Sequence, residues 1–322
     1  MNINYIILAH KAPVQLQRLV SRLMDKDVHF FVHVDLKSKL QEFKQVLPES
    51  DVLTYVADRQ NCRWGDLSLV DAVIASFREL VNKNIEGFCV LLSAQDYPLR
   101  SIAYIKDFFE QHANQNFISI YPIPDPKKET EGGGLERLLS YTFDCRNPKN
   151  ARMKAKIQPL SLRLKTIGGF VRLAMYRRDL LPFAIKSYFK RRVYPKGLAK
   201  CFNEMWVALN YRTVRWLLDT IDCHSEYRDY YQYTHIPDET MFGAIMMADD
   251  QVRKTIRPMC HYIRWEEKQD GSPKTLTIDD VDDMKVVMAE NDQILFARKF
   301  EENSEVLDYI DKHFLHYGEE CR

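Results

Sequence analysis

The first 125 residues alternate short apolar runs with amphipathic stretches, and this alternation limits the fold more than any other feature of the chain. Tyr5 to Leu8, His29 to Asp35, Val52 to Val56, Phe88 to Leu92 and Phe117 to Tyr121 read as strands. Between them, Val14 to Met24 reads as a helix with Leu16, Leu19, Val20 and Leu23 on one face. A second, longer helix keeps Val70, Val73, Ile74, Phe77, Leu80 and Val81 on the 3.6-residue period, with Asp66 placed to cap its start. Ile102 to Phe109 is a third. Strands separated by helices of this length predict an α/β fold with a mostly parallel sheet covered on both faces. In such open sheets ligands bind beyond the carboxyl ends of the strands. His10, Asp35 and the Gln95-Asp96 turn fall there.

The alternation breaks near Pro122. Pro124, Pro126 and Gly132-Gly133-Gly134 mark a loop. From Arg152 to Lys200 the chain carries fourteen Lys and Arg against one acid, Asp179. Aromatic and aliphatic residues such as Phe170, Leu173, Tyr176 and Phe189 are interleaved with these cations, so the segment reads as an inserted basic helical region. A solvated cationic face, or contact with anionic lipid or a phosphate-bearing acceptor, would suit it. Nucleic acid suits it less, because the whole chain balances 46 Lys and Arg against 45 Asp and Glu. Regular structure resumes with a strand at Met205 to Leu209 and a helix from Arg212 to Ile221. A strand-like run, His261 to Trp265, an acidic helix capped by Thr277, the run Ile294 to Phe300 and a closing helix from Val306 to Phe314 follow. The seven cysteines are scattered without CxxC spacing, and the start of the chain lacks a signal-peptide pattern. A cytoplasmic protein, peripheral at most at the inner face of the cell membrane, is the expectation.

Dinucleotide, P-loop, zincin and serine-hydrolase motifs are absent. A literal Asp-x-Asp, Asp280-Val281-Asp282, lies in a stretch that reads as a capped helix start. The strand end where a metal-binding Asp-x-Asp is expected reads Ser93-Ala94-Gln95-Asp96. Cations of the last third of the chain, Arg264, Lys274, Arg298 and Lys299, can neutralise a phosphate leaving group instead. One carboxylate then stands out. Pro237-Asp238-Glu239 precedes a short apolar helix, Thr240 to Met247, so both acids lie at the positive end of a helix dipole, where a carboxylate serves as a cap or as a base.

Seven segments occur together in one order: Ile7 to Lys11, Phe31 to Asp35, Trp64-Gly65 with Ser68 to Val70, Leu92 to Pro98, Ile236 to Thr240, Ser272 to Thr275, and Leu295 to Phe300. In this the chain resembles the core-2/I-branching β-1,6-N-acetylglucosaminyltransferases, a family that includes the peptide O-xylosyltransferases, and in particular their small bacterial branch. The resemblance implies one GT-A-type domain over 1–322. Residues 1–125 would be the nucleotide-binding half, 126–200 the loop and basic insertion, and 201–322 the acceptor, catalytic and diphosphate-binding half. It implies an inverting transfer of a sugar, GlcNAc or alternatively xylose, from a UDP-sugar to a glycan or lipid-linked glycan in bacterial surface polysaccharide synthesis, without a divalent metal. Glu239 would be the general base. Lys299, Lys274 and Arg298 would hold the diphosphate, and Asp35 with His10 the rest of the donor. Glu136, Asp96 and Trp206 would meet the acceptor. The segment Asn203 to Leu209 and the basic insertion depart from the family pattern. A metal-dependent transferase using Asp96 or Asp35, and a non-catalytic sugar- or nucleotide-binding relative, are the alternatives.

Overall fold

A computed structural model describes residues 1–125, 133–146, 150, 153–266 and 272–317. Pro126, Gly132 and Arg152, singled out above, lie outside them. Seven strands form the central sheet: β1 (Ile3–Ala9), β2 (Val28–Val34), β3 (Leu53–Tyr55), β4 (Phe88–Ser93), β5 (Asn116–Phe117), β6 (Ala208–Asn210) and β7 (Ile256–Arg257). Their spatial order is β7-β5-β6-β4-β1-β2-β3. β1 pairs in parallel with β2 and β4, and β2 with β3, whereas β6 runs antiparallel to β4 and β5. The sheet is therefore mostly parallel, as its pattern predicts, in an α/β arrangement.

Both faces are buried, which is why the strands read as continuous apolar runs. Along β4, Phe88, Val90 and Leu92 face one core, with Leu16, Leu19 and Leu23 of the Pro13–Leu23 helix and Val306, Leu307 and Ile310 of the last helix. Cys89 and Leu91 face the other, with Val70, Val73 and Phe77 of the Ser68–Lys83 helix and Phe242 and Ile245 of the Met241–Ala248 helix. The expected strand from Met205 to Leu209 begins only at Ala208; Met205 and Trp206 instead turn into a cleft. The run Ile294 to Phe300 shortens to Phe296–Arg298, in a small sheet between His261–Ile263 and Asp96–Pro98. That register sets Arg298 directly opposite Asp96.

The basic insertion has a small core of its own. A hairpin of Tyr141–Asp144 and Lys154–Ile157 packs Phe143, Ala155 and Ile157 against Leu173 and Ala184 of the helices Leu164–Tyr176 and Leu181–Tyr188. Its cations are not uniformly solvated. Arg192 is buried, donates to the carbonyls of Leu138, Ser140 and Tyr230 and to Thr234 Oγ1, and lies over the Tyr230 ring.

Candidate active site

A cleft of about 480 Å³ opens at the carboxyl ends of β1, β2 and β4. Of the residues selected from sequence, His10, Asp35, Trp206, Glu239 and Arg298 line it. One side of the cleft is built from strand ends. The Asp35 N–H donates to the Ala9 carbonyl at 2.8 Å, which keeps the two strand ends together. Arg59 clamps the loop after β2 by donating to the carbonyls of Val34, Asp35 and Ser38. The Asp35 carboxylate is buried, accepts the Lys37 N–H at 2.9 Å and has the Lys37 ammonium at 3.4 Å. His33 accepts the Gln60 N–H on Nε2, a structural bond.

Glu239 closes a 3₁₀ turn, Pro237–Glu239, that leads into the Met241–Ala248 helix. Ile236 enters this turn in the left-handed region at φ 52°, a conformation costly for a β-branched residue. Its N–H is held by the Gly65 carbonyl, and Gly65 itself needs φ 72°. Asn203 pins the other side: its amide nitrogen donates to the Asp238 carbonyl at 3.0 Å and its oxygen accepts the Gly243 N–H at 3.0 Å. Only glycine fits there, because a Cβ on residue 243 would lie 2.7 Å from that oxygen.

The Glu239 side chain keeps 35% of its surface, and its Oε2 accepts from Arg137 at 2.7 Å. No partner of Oε1 occurs among the described residues. Arg137 in turn lies over the Phe202 ring at 4.7 Å. Asp238 behaves differently. It is buried, its Oδ1 has no partner among the described residues, and burial, then the Glu239 charge, pushes its carboxyl up to about 7. Glu239, Glu204 and Trp265 also line a second cavity, of about 360 Å³, with Tyr121 and Phe202. Glu239 therefore stands on the wall between two spaces.

Arg298 is largely enclosed at the cleft wall, its side chain keeping 12% of its surface. Its guanidinium lies 3.8 Å from the centre of the Trp206 ring and donates to Asp96 Oδ1 at 3.1 Å. Asp96 is fully buried and accepts from Ser93 N–H and Oγ. Burial alone would raise its carboxyl, but the Arg298 charge and His261, 3.6 Å away, bring it below the ordinary range. Its geometry is that of an anchor for Arg298, enclosed away from any acceptor. Lys299 donates from Nζ to Ser272 Oγ at 2.7 Å, and Ser272 lines the cleft. Lys274 is turned to Asp280 at 2.6 Å and Glu266 at 3.6 Å. Asp280 forms the capping box with Thr277, as read from sequence, and also holds Arg264. Glu136 does not share the cleft with Glu239: its Oε2 is buried without a partner among the described residues, and its charge bears on Lys156. The residue that reaches Glu239 is the next one, Arg137. Among the described residues, no three His, Cys, Asp or Glu side chains gather at a metal-sized spacing.

The family model of the Core-2/I-Branching enzyme matches residues 3–154. Over those residues the chain is similar to the core-2/I-branching enzymes. Xylosyltransferase 1 of Homo sapiens is 23% identical over 332 residues, and that of Rattus norvegicus 25% identical over 340 residues. These alignments cover 97% and 99% of this chain but only 30% and 36% of the two xylosyltransferases. The chain thus spans about a third of their length. Among solved structures, mouse xyloside xylosyltransferase 1 in its apo form gives a TM-score of 0.37 at 12% identity, covering 82% of this chain and 89% of that one. Core-mannan synthase A from Aspergillus fumigatus gives 0.38 at 11%, covering 80% and 72%. Likenesses this loose carry no argument about the site.

Proposed function

We propose that this chain is an inverting, metal-independent glycosyltransferase that moves a sugar from a UDP-sugar to a hydroxyl of a glycan acceptor. The observation that carries the reading is Glu239, a half-exposed carboxylate between two cavities, with one oxygen on Arg137. In the proposed reaction the donor lies in the larger cleft. The strand ends at His10 and Asp35 take its nucleoside part. The acceptor hydroxyl enters from the smaller cavity and gives its proton to Glu239 Oε1 as its oxygen attacks the anomeric carbon. The bond to the diphosphate breaks on the opposite face, the sugar inverts, and UDP leaves with both bonding electrons. Arg298, and Lys299 at the Ser272 rim, oppose the charge that develops on the leaving oxygens. Lys274, engaged by Asp280, adds to the same field from further out.

The relatives' name, xylosyltransferase, supports trying UDP-xylose beside UDP-GlcNAc as the first donors. The test is UDP release across a panel of donors and acceptors, with and without EDTA. Release that survives EDTA, and that falls roughly 10²–10⁴-fold in Glu239→Gln with an unchanged melting curve, is the expected result. Full activity in that variant would remove Glu239 as the base. Activity lost to EDTA and restored by manganese would overturn the metal-independent mechanism.

A further inference from the structure

We propose that the outer face of the inserted helices is a docking surface for an anionic lipid bilayer. The Leu164–Tyr176 helix is apolar on two opposite faces. Thr166, Gly169 and Leu173 are buried on its inner face. Gly169 allows close approach to the hairpin, since a Cβ there would lie 2.4 Å from the Lys156 carbonyl oxygen. On the outer face Leu164, Ile167, Val171 and Met175 recur at helical spacing and form one stripe. They are 86%, 50%, 53% and 63% exposed, where a soluble helix ordinarily shows polar residues. The Leu160 N–H donates to the Tyr188 carbonyl, which brings the loop carrying exposed Leu162 beside exposed Phe189.

The charge beside this stripe is mainly positive. Lys165 and Arg172 flank it and, with Lys156, line a groove of about 470 Å³ against Leu164 and Gly168. Exposed Lys186, Lys190 and Arg191 follow on the next helix and just beyond it. An apolar helix face edged by cations is the chemistry that inserts shallowly into an anionic lipid surface. A second copy of the chain is a poorer occupant, because an isologous contact over the stripe would bring Lys165 and Arg172 of both copies to one seam. No described helix is long and apolar enough to cross a membrane. Arg172 also lines a second groove with Lys154, His235 and Trp64, and Trp64 lines the central cleft. Cationic surface thus leads from the docking face to the mouth of the central cleft. The docking does not rest on the transferase reading.

The test is sedimentation of the full chain with vesicles of phosphatidylcholine alone or mixed with phosphatidylglycerol. Two variants are compared with it: Leu164→Ser/Val171→Ser/Met175→Ser and Lys165→Glu/Arg172→Glu, all at exposed positions, with melting curves as the control for folding. The full chain is expected to bind the anionic vesicles at least about tenfold more tightly than the neutral ones, and each variant to lose about that factor. UDP release with a soluble acceptor is read in parallel and is expected to be unchanged in both. Absence of binding to anionic vesicles, or serine-variant binding equal to that of the natural chain, would overturn the proposal. So would a dimer in solution that the serine variant converts to a monomer, since the stripe would then be covered by a second copy. A chain that binds vesicles yet releases no UDP leaves the docking standing and counts against the transferase reading alone.

Discussion

At the scale of single residues, Asp238 and Glu239 are neighbours with opposite physical situations. Glu239 has an arginine and open space. Asp238 is enclosed, and its folded carboxyl titrates near 7 rather than in the ordinary range. The folded protein therefore holds this proton more tightly than the unfolded chain does. Stability contributed by that proton is complete below about pH 4 and is lost as pH rises through about 7. Asp238→Asn removes the titration, so the variant is expected to melt higher than the natural chain above pH 7 and to converge with it in acid. The gap should be on the order of a few kcal/mol, read as thermal melts across pH. Equal melts at pH 8 would refute it. Arg137→Ala is expected to lower turnover by about 10–100-fold by releasing the Glu239 carboxylate, with little change in donor affinity. His10, Asp35, Arg298 and Glu239 could be selected from sequence because strand ends and ordered motifs mark them. Arg137 could not: its contact with Glu239 spans 102 residues, and an arginine beside Glu136 has no local signature of that partnership.

At the scale of elements, what sequence conveys is which face of each element is apolar, and that was enough for β1 to β4 and the long helices. It does not convey strand direction. β6 is as apolar as its parallel neighbours, because a buried antiparallel strand faces the same two cores. Nor does periodicity tell an apolar face that meets a core from one that meets solvent, so the stripe at Leu164, Ile167, Val171 and Met175 was legible only as part of a basic helical segment. The dependence of that helix on its hairpin gives a local prediction. In Gly169→Ala the added methyl meets a backbone oxygen, which cannot turn aside as a flexible side chain would. The helix must lift from the Lys154–Ile157 strand, at a cost of about 1–3 kcal/mol. Amide exchange should accelerate in 153–157 and 164–176 and stay unchanged in β1 and β4. Uniform protection in both regions would show that the close approach is not needed.

At the scale of the whole molecule, the two ends of the described chain are joined through one carboxylate. Asp311, on the last helix, accepts from Arg22 at 2.6 Å, from Arg18 at 2.7 Å and from the Tyr97 hydroxyl at 2.7 Å. Arg18 and Arg22 lie on the first helix, and Tyr97 lies in the small sheet that carries Arg298. One side chain thus fastens the first helix, the last helix and the sheet that sets the cleft wall. Burial alone would raise Asp311, but its bonds to Arg22, Tyr97 and Arg18 hold it below the ordinary carboxylate range. A depressed folded value stabilises the fold above the unfolded pKa, and that contribution is lost as pH falls through the folded one. Asp311→Asn leaves two arginines at a half-buried seam without their counter-charge, which should cost about 3 kcal/mol at neutral pH. The difference in melting temperature from the natural chain should be greatest above pH 5 and shrink as pH falls below about 4, as the natural Asp311 loses its charge. A deficit that persists undiminished in acid would mean that packing of the last helix, and not the ionised Asp311, joins the ends. Because the Arg298 strand pairs with the Asp96–Pro98 strand that contains Tyr97, the same variant should also loosen the cleft wall. Donor affinity is then expected to weaken before the cooperative unfolding transition begins.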